Sequence, residues 1–262
     1  MIRSKYIVLI FIGLIAVSSC NKYDKLVRSS DIDKKYEMAI QYYEKGNYVK
    51  AISLLEELVS IYRGTAKAET ILFYYAYTNY NLGDYVLAAY HFKSFVKTYP
   101  NSPHSEECSY MAAYCYYLTS PVYSLDQTDT KAAIKEFQTF VNQYPKSVRL
   151  EKANEMVDKL RAKLEKKSYE IAKLYYYTGD YNGGYKASTY AFKNTMNDFP
   201  DTKYREELTF LIVKAYYILA TNSVPSKKAE RIKAKLGLSA LSTSQYLFLV
   251  PCCACQPGPV EL

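Results

Sequence analysis

Large side chains recur along this chain at spacings of three and four, the period of one face of an α-helix, and the helices marked in this way themselves recur. Tyr36, Phe73 and Tyr110 are separated by 37 residues. The same step relates Ala39, Ala76 and Ala113; Ile40, Tyr77 and Tyr114; and Tyr43, Tyr80 and Tyr117. Within each copy these members share one helical face, which marks the first helix of a hairpin. A turn follows, Gly46-Asn47-Tyr48 and Gly83-Asp84-Tyr85, and then a second periodic segment, Ala51, Leu55 and Leu58 or Ala88, Phe92 and Phe95. Glycine supplies the backbone angles of the turn, and alanine lets two helices approach closely.

Second helices end at Tyr99-Pro100-Asn101-Ser102, Tyr144-Pro145-Lys146-Ser147 and Phe199-Pro200-Asp201-Thr202. Proline cannot continue a helix, and the Ser or Thr is expected to cap the next one. The first copy departs, with Tyr62-Arg63-Gly64-Thr65 in that place. A fourth hairpin is read from Tyr169, Ala172, Tyr175, Gly179 and Phe192 to Pro200, and a fifth begins at Tyr204 with Leu208, Leu211, Ala215 and Leu219. Between copies three and four, Leu150 to Lys173 reads as one long helix with Ala153, Met156, Val157 and Leu160 on a single face. The expected organisation is a block of repeats 1 to 3 over 34–150, a block of repeats 4 and 5 over 151–235, the last incomplete, and an atypical tail over 236–262. After Arg231 the pattern fails, and three cysteines and three prolines crowd the last twelve residues, a shift that points to a truncated or frame-altered C-terminus.

The first segment has a different character. Arg3 and Lys5 precede an apolar run from Tyr6 to Val17 that is too short to span a bilayer, and the run ends in Val17-Ser18-Ser19-Cys20. This resembles the bacterial lipobox, so residues 1–19 are expected to be a lipoprotein signal peptide, Cys20 the lipid attachment point, and 20–33 a lipidated tether.

Composition narrows the function. The chain of 262 residues has 31 Tyr, 10 Phe and no Trp, and its 9 Gly and 9 Pro suit long regular elements. Its net charge of +8 is spread among interspersed acids and bases, which fits a solvated surface and argues against nucleic acid as a partner. Cys252, Cys253 and Cys255 lack a histidine or second cysteine pair at metal-binding spacing, so no metal site is expected. Cys108 and Cys115 lie about 10 Å apart along a helix, too far to bridge, and read as small buried residues. His91 and His104 stand in no catalytic or ligand spacing, and no phosphate loop or nucleophile motif occurs. No catalytic residue and no cofactor beyond the covalent lipid on Cys20 are expected.

The pattern of Ala76, Tyr80, Gly83, Ala88, Phe92 and Pro100 resembles the tetratricopeptide repeat. The lipobox, about five such hairpins and the insertion Ser120 to Thr128 in the third, with its Leu125-Asp126-Gln127-Thr128, together look like the BamD family of lipoproteins of the outer-membrane β-barrel assembly machinery. The resemblance implies an all-α fold, a right-handed solenoid of about five tetratricopeptide-like hairpins. It also implies an outer-membrane, lipid-anchored, periplasm-facing scaffold. Its partners would be a BamA-like barrel protein, reached through the POTRA region, and unfolded outer-membrane protein segments. Stacked hairpins present their first helices on an extended surface suited to peptides. Tyr36, Tyr43, Phe73, Tyr77, Tyr80, Tyr110, Tyr114 and Tyr117 occupy the columns expected to face it. The same repeats could serve another periplasmic scaffold, for cell-wall or polysaccharide machinery, whereas an enzyme or sugar-binding lipoprotein is disfavoured by the missing motifs and absent Trp.

Overall fold

In a computed structural model the described residues, 22–179 and 183–222, form ten α-helices and no strand. A short helix α1 covers 22–27. It is followed by α2 (Ile32–Glu44), α3 (Tyr48–Ile61), α4 (Ala68–Asn81), α5 (Tyr85–Thr98), α6 (Ser105–Thr119) and α7 (Thr128–Gln143). Then come α8 (Leu150–Tyr177), α9 (Gly184–Asp198) and α10 (Arg205–Thr221). The all-α repeat architecture expected from the 37-residue period is what the chain adopts. Two compact units divide between Leu160 and Arg161, inside the long helix α8 rather than at 150/151.

In the first unit α2/α3, α4/α5 and α6/α7 are three successive hairpins, and the alanine column of the 37-residue period lies in their core. Ala39, Ala76 and Ala113 on the first helices are fully excluded from solvent, as are Ala51, Ala88 and Ala133 on the second. The second helices bury their i, i+4, i+7 stripe completely: Ala51, Leu55 and Leu58 in α3, Ala88, Phe92 and Phe95 in α5, Ala133, Phe137 and Phe140 in α7. Each such Leu or Phe contributes roughly 1.5–3 kcal/mol relative to exposure. The start of α8 closes the stack, with Ala153 and Leu160 in one cluster with Phe137 and Phe140. On the opposite face of α8, Lys159 and Glu155 pair at 2.7 Å in solvent, a contact that contributes little to stability.

The hairpin turns follow the sequence closely. Gly83 has φ +84°, which other residues rarely adopt, and Asp84 caps α5 by accepting the Leu87 amide at 3.1 Å. Asn47 does the same for α3 through the Lys50 amide at 3.4 Å. The third hairpin has no such turn. There the Gln127 side chain, buried, staples the insertion: its Nε2 donates to the carbonyls of Val122 (2.8 Å) and Leu125 (3.0 Å), and its Oε1 accepts from Thr130 Oγ1 at 2.7 Å.

The Ser and Thr after each proline do something other than the expected helix cap. Ser102 Oγ donates to Glu69 at 2.5 Å and accepts the His104 amide; Ser147 Oγ donates to Glu106 at 2.6 Å and accepts the Arg149 amide. Each hydroxyl therefore rigidifies its own loop and clasps the first helix of the preceding hairpin. The divergent first copy reaches the same result with other groups, since Asp33 in the first turn of α2 accepts from Tyr62 Oη (2.8 Å) and Lys67 Nζ (2.7 Å). These bonds, with the ammonium of Lys67 foremost, hold the Asp33 carboxyl below the usual range.

In the second unit Tyr169, Ala172 and Tyr176 of α8 pack with Phe192 of α9 and Leu208, Leu211, Ile212 and Ala215 of α10. The aromatic of the fourth hairpin is thus Tyr176 and not Tyr175, which is 46% exposed. Thr202 repeats the clasp, donating to Glu165 at 2.5 Å. Gly184 opens α9 where a Cβ would lie 2.4 Å from the Gly179 carbonyl oxygen, so the lengthened turn depends on a bare backbone there.

Two further expectations meet the structure differently. Residues 22–33, expected as part of a tether, carry α1, with Leu26 buried and Tyr23 and Val27 packed on the first hairpin. Its few apolar side chains are enough to dock it. The signal segment, Cys20, the tail 236–262 and its cysteines lie outside the described residues.

Two outcomes test the packing. Replacing Ala76 by Leu should overpack the α4/α5 crossing and lower stability by about 1–3 kcal/mol, seen as a lower urea midpoint at unchanged slope. Cys108 and Cys115 are buried free thiols whose pKa burial pushes up to about 12. Their contribution is therefore present below the unfolded value of about 8.5 and is lost as pH rises toward the folded one. Iodoacetamide at neutral pH should leave both untouched until urea unfolds the chain, with labelling read by peptide mass; rapid labelling of the native protein would contradict this burial.

Candidate peptide-binding surface

The eight aromatics picked out by the repeat are all half-buried in the first unit. They divide by what they touch. Phe73 wedges between hairpins, 6.1 Å from Phe95 and 4.5 Å from the His104 ring. Tyr77 lies edge-on to Phe92 at 4.9 Å, and its hydroxyl donates to Glu107 of the next first helix at 2.6 Å. Burial foremost, and then that bond, hold the Tyr77 phenol well above the ordinary tyrosine range. Tyr110 packs on Phe137 (6.1 Å) and Phe140 (5.5 Å). These three are structural in large part.

Tyr80, Tyr114 and Tyr117 are different. Tyr80 lies 6.4 Å from Tyr114, linking the second hairpin to the third. Along α6, Tyr110, Tyr114 and Tyr117 form a ladder of nearly parallel rings, with centroids 6.1 and 5.9 Å apart and planes within 8° and 11°. The ladder follows from positions i, i+4 and i+7 on one helical face. Burial raises the Tyr80 and Tyr110 phenols.

The row is nearly continuous. Tyr43 reaches it through Tyr74, which lies 4.9 Å from Tyr43 and 5.8 Å from Phe73. Phe73, Tyr77, Tyr80 and Tyr114 then follow at 4.8, 6.5 and 6.4 Å. Tyr36 stands apart, 6.0 Å from Tyr62 with Lys67 Nζ 4.9 Å over its ring. Tyr74 and His104 were not singled out for the surface by sequence; Tyr74 lies one residue off the 37-residue column, and only the neighbouring aromatic run Phe73-Tyr74-Tyr75 hints at it.

The second unit places a charge at one of the corresponding positions. Tyr169 stacks on Tyr204 at 3.9 Å and donates to Glu207 at 2.6 Å, while Lys173, 96 residues after Tyr77, bonds Tyr169 Oη at 2.9 Å and Glu207 at 3.2 Å. The Tyr169 hydroxyl, with Lys173 assisting, holds the Glu207 carboxyl below its usual range, and Lys173 is raised by the same partners. Here an aromatic column becomes an ion-paired cluster.

Residues 29–232 match the protein family described as the outer membrane lipoprotein YfiO. The outer membrane protein assembly factor BamD of Pasteurella multocida (strain Pm70) is 25% identical over 232 residues, covering 85% of this chain and 87% of that protein. BamD of Haemophilus influenzae (strain ATCC 51907 / DSM 11121 / KW20 / Rd) is 24% identical over 219 residues, covering 78% and 82%. The putative BamD of Aquifex aeolicus (strain VF5) is 26% identical over 231 residues, covering 86% and 72%. Because the family match spans three complete hairpins, all of α8 and the helices that follow it, the chain belongs to the YfiO family of outer membrane lipoproteins.

Proposed function

We propose that this chain is a lipoprotein scaffold of the machinery that assembles β-barrel proteins into the outer membrane, and that its first unit receives unfolded client segments along the tyrosine row. The family and the relatives named as outer membrane protein assembly factors support the role. The observation that carries the client reading is the α6 ladder. An extended strand repeats its same-face side chains every ~6.6–6.8 Å, and the rings of Tyr110, Tyr114 and Tyr117 are spaced at 6.1 and 5.9 Å. A β-strand segment with alternating aromatic side chains laid along α6 would therefore meet one ring per same-face residue.

Cys20 carries the lipid, which places the chain at the outer membrane facing the periplasm. Among the described residues no helix is long and apolar enough to cross a membrane. A BamA-like barrel protein is the resident partner, contacted through its POTRA region, and the ion-paired second unit is the surface suited to a folded neighbour. The chain acts by binding and not by catalysis.

A Tyr80→Ala, Tyr114→Ala, Tyr117→Ala variant should keep its helical circular dichroism and bind an aromatic-rich β-barrel peptide roughly tenfold to a hundredfold more weakly by fluorescence anisotropy. Tyr77→Phe should bind within about twofold of the parent while losing about 1 kcal/mol of stability, because its hydroxyl serves Glu107. Unchanged affinity in the folded triple variant would remove the row from client binding. A detergent pull-down of the chain from its source bacterium should recover a barrel protein with POTRA domains; recovery of cell-wall or polysaccharide machinery instead would reassign the scaffold.

A further inference from the structure

The N-terminal face of the first hairpin holds a cavity that the client surface does not use. It measures about 480 Å³ and lies between α1 and the start of α2. Its rim carries the ammonium groups of Lys22, Lys25 and Lys34, none of which has an ion-pair partner among the described residues. Asp31, the acid of the rim, accepts the Lys34 amide at 3.0 Å as the cap of α2. The apolar part of the lining is Leu26, Met38 and Tyr42, which belong to the core of the first hairpin. Ser29 also lines the cavity, and its hydroxyl is buried with no hydrogen-bond partner among the described residues, an arrangement that folded proteins ordinarily avoid.

The walls are held in place without a ligand. Tyr23 Oη donates to the Lys50 carbonyl at 3.1 Å and its ring meets Tyr42 edge-on at 5.7 Å, fixing α1 on the hairpin. Three unpaired cations and an unsatisfied donor in one cavity suit a phosphate, and the apolar part of its lining suits the glycerol and first methylenes of a lipid. Lys22 follows Cys20 by two residues, so, on the reading that Cys20 is acylated, the cavity sits at the bilayer surface.

We infer that this cavity is a seat for an anionic phospholipid headgroup, which orients the first hairpin against the bilayer beside its acyl anchor. Basic groups at a lipid-anchored terminus add a second, orienting membrane signal to the hydrophobic one.

The test uses the mature chain carrying Cys20→Ser, which has no acyl group, in sedimentation with phosphatidylcholine vesicles with and without phosphatidylglycerol. Binding should require the anionic lipid, and Lys22→Gln, Lys25→Gln, Lys34→Gln together should weaken it about tenfold or more. Lys131→Gln, Lys135→Gln, Lys146→Gln removes the same charge from the third hairpin and its exit, and should stay within about twofold. Met38→Asp, which leaves the lysines intact, should also weaken binding. No binding to anionic vesicles, or equal losses in the two lysine sets, would overturn the seat; displacement by inorganic phosphate at concentrations matching the lipid phosphate would make it a free-anion site instead. The intact mass of the membrane-purified native chain tests the anchor separately, since an unacylated Cys20 would sink that reading and leave the vesicle result standing.

Discussion

Two helices can pack closely only where the side chains at their crossing are small, and in the first unit those places are alanines. Ala39, Ala76 and Ala113 meet second helices that carry Ala51, Ala88 and Ala133, and all six are shut off from solvent. The bulk that fills the remaining space comes from one stripe per second helix, Leu55 and Leu58 or their phenylalanine counterparts. Because a first helix packs on its own partner and on the second helix of the preceding hairpin, α4 buries Ile71, Tyr75, Ala76, Thr78 and Asn79, which lie on more than one face. Its buried polar groups stay within the helix: Thr78 and Asn79 donate to the carbonyls four residues back. No single hairpin could hide so much of itself, which is why stability here belongs to neighbouring pairs.

Packing fixes distance, while the loop clasps fix register. Glu69 and Glu106, each in the first turn of a first helix, receive the hydroxyl that follows the next proline, and Glu165 does so in the second unit. Glu107 and Glu207 each lie five residues beyond such a hydroxyl and each accepts a tyrosine from the previous first helix. The acids at these helix starts thus favour the helix dipole and tie one repeat to the next. Most are partly solvated, so each bond contributes modestly; their regular placement is what aligns the aromatic columns into a row.

The row and most of the core were legible in the sequence for the same reason: both consist largely of residues that repeat at one period, with the stripe of α7 displaced by the insertion before it. What escaped does not repeat. Tyr74 joins Tyr43 to Phe73 from a position outside the columns. Residues 22–33 look polar because only Tyr23, Leu26, Val27 and Ile32 are apolar, yet these suffice to dock a short helix. Tyr175 and Tyr176 are adjacent aromatics, and the turn lengthened beyond Gly179 obscured which one keeps the spacing. Gln127 could be seen as part of a family-like motif, but its role as a staple depends on carbonyls that only the folded loop brings together.

The two units answer one inherited position in opposite ways, and the difference bears on how a scaffold can hold two kinds of partner. In the first unit, Tyr77 and Tyr114 keep the column aromatic, and on the proposed function a flexible client would add rings to the row without breaking an ion pair there. In the second, Lys173 stands in that column locked to Tyr169 and Glu207. Opening this cluster to admit an extended peptide would strip partners from Glu207 and Lys173 together, a modest cost because the Glu207 side chain is 47% exposed. An already folded neighbour could instead bind around the cluster with its charges intact. On the proposed function, transient capture falls to the tyrosine row and attachment to the charged unit.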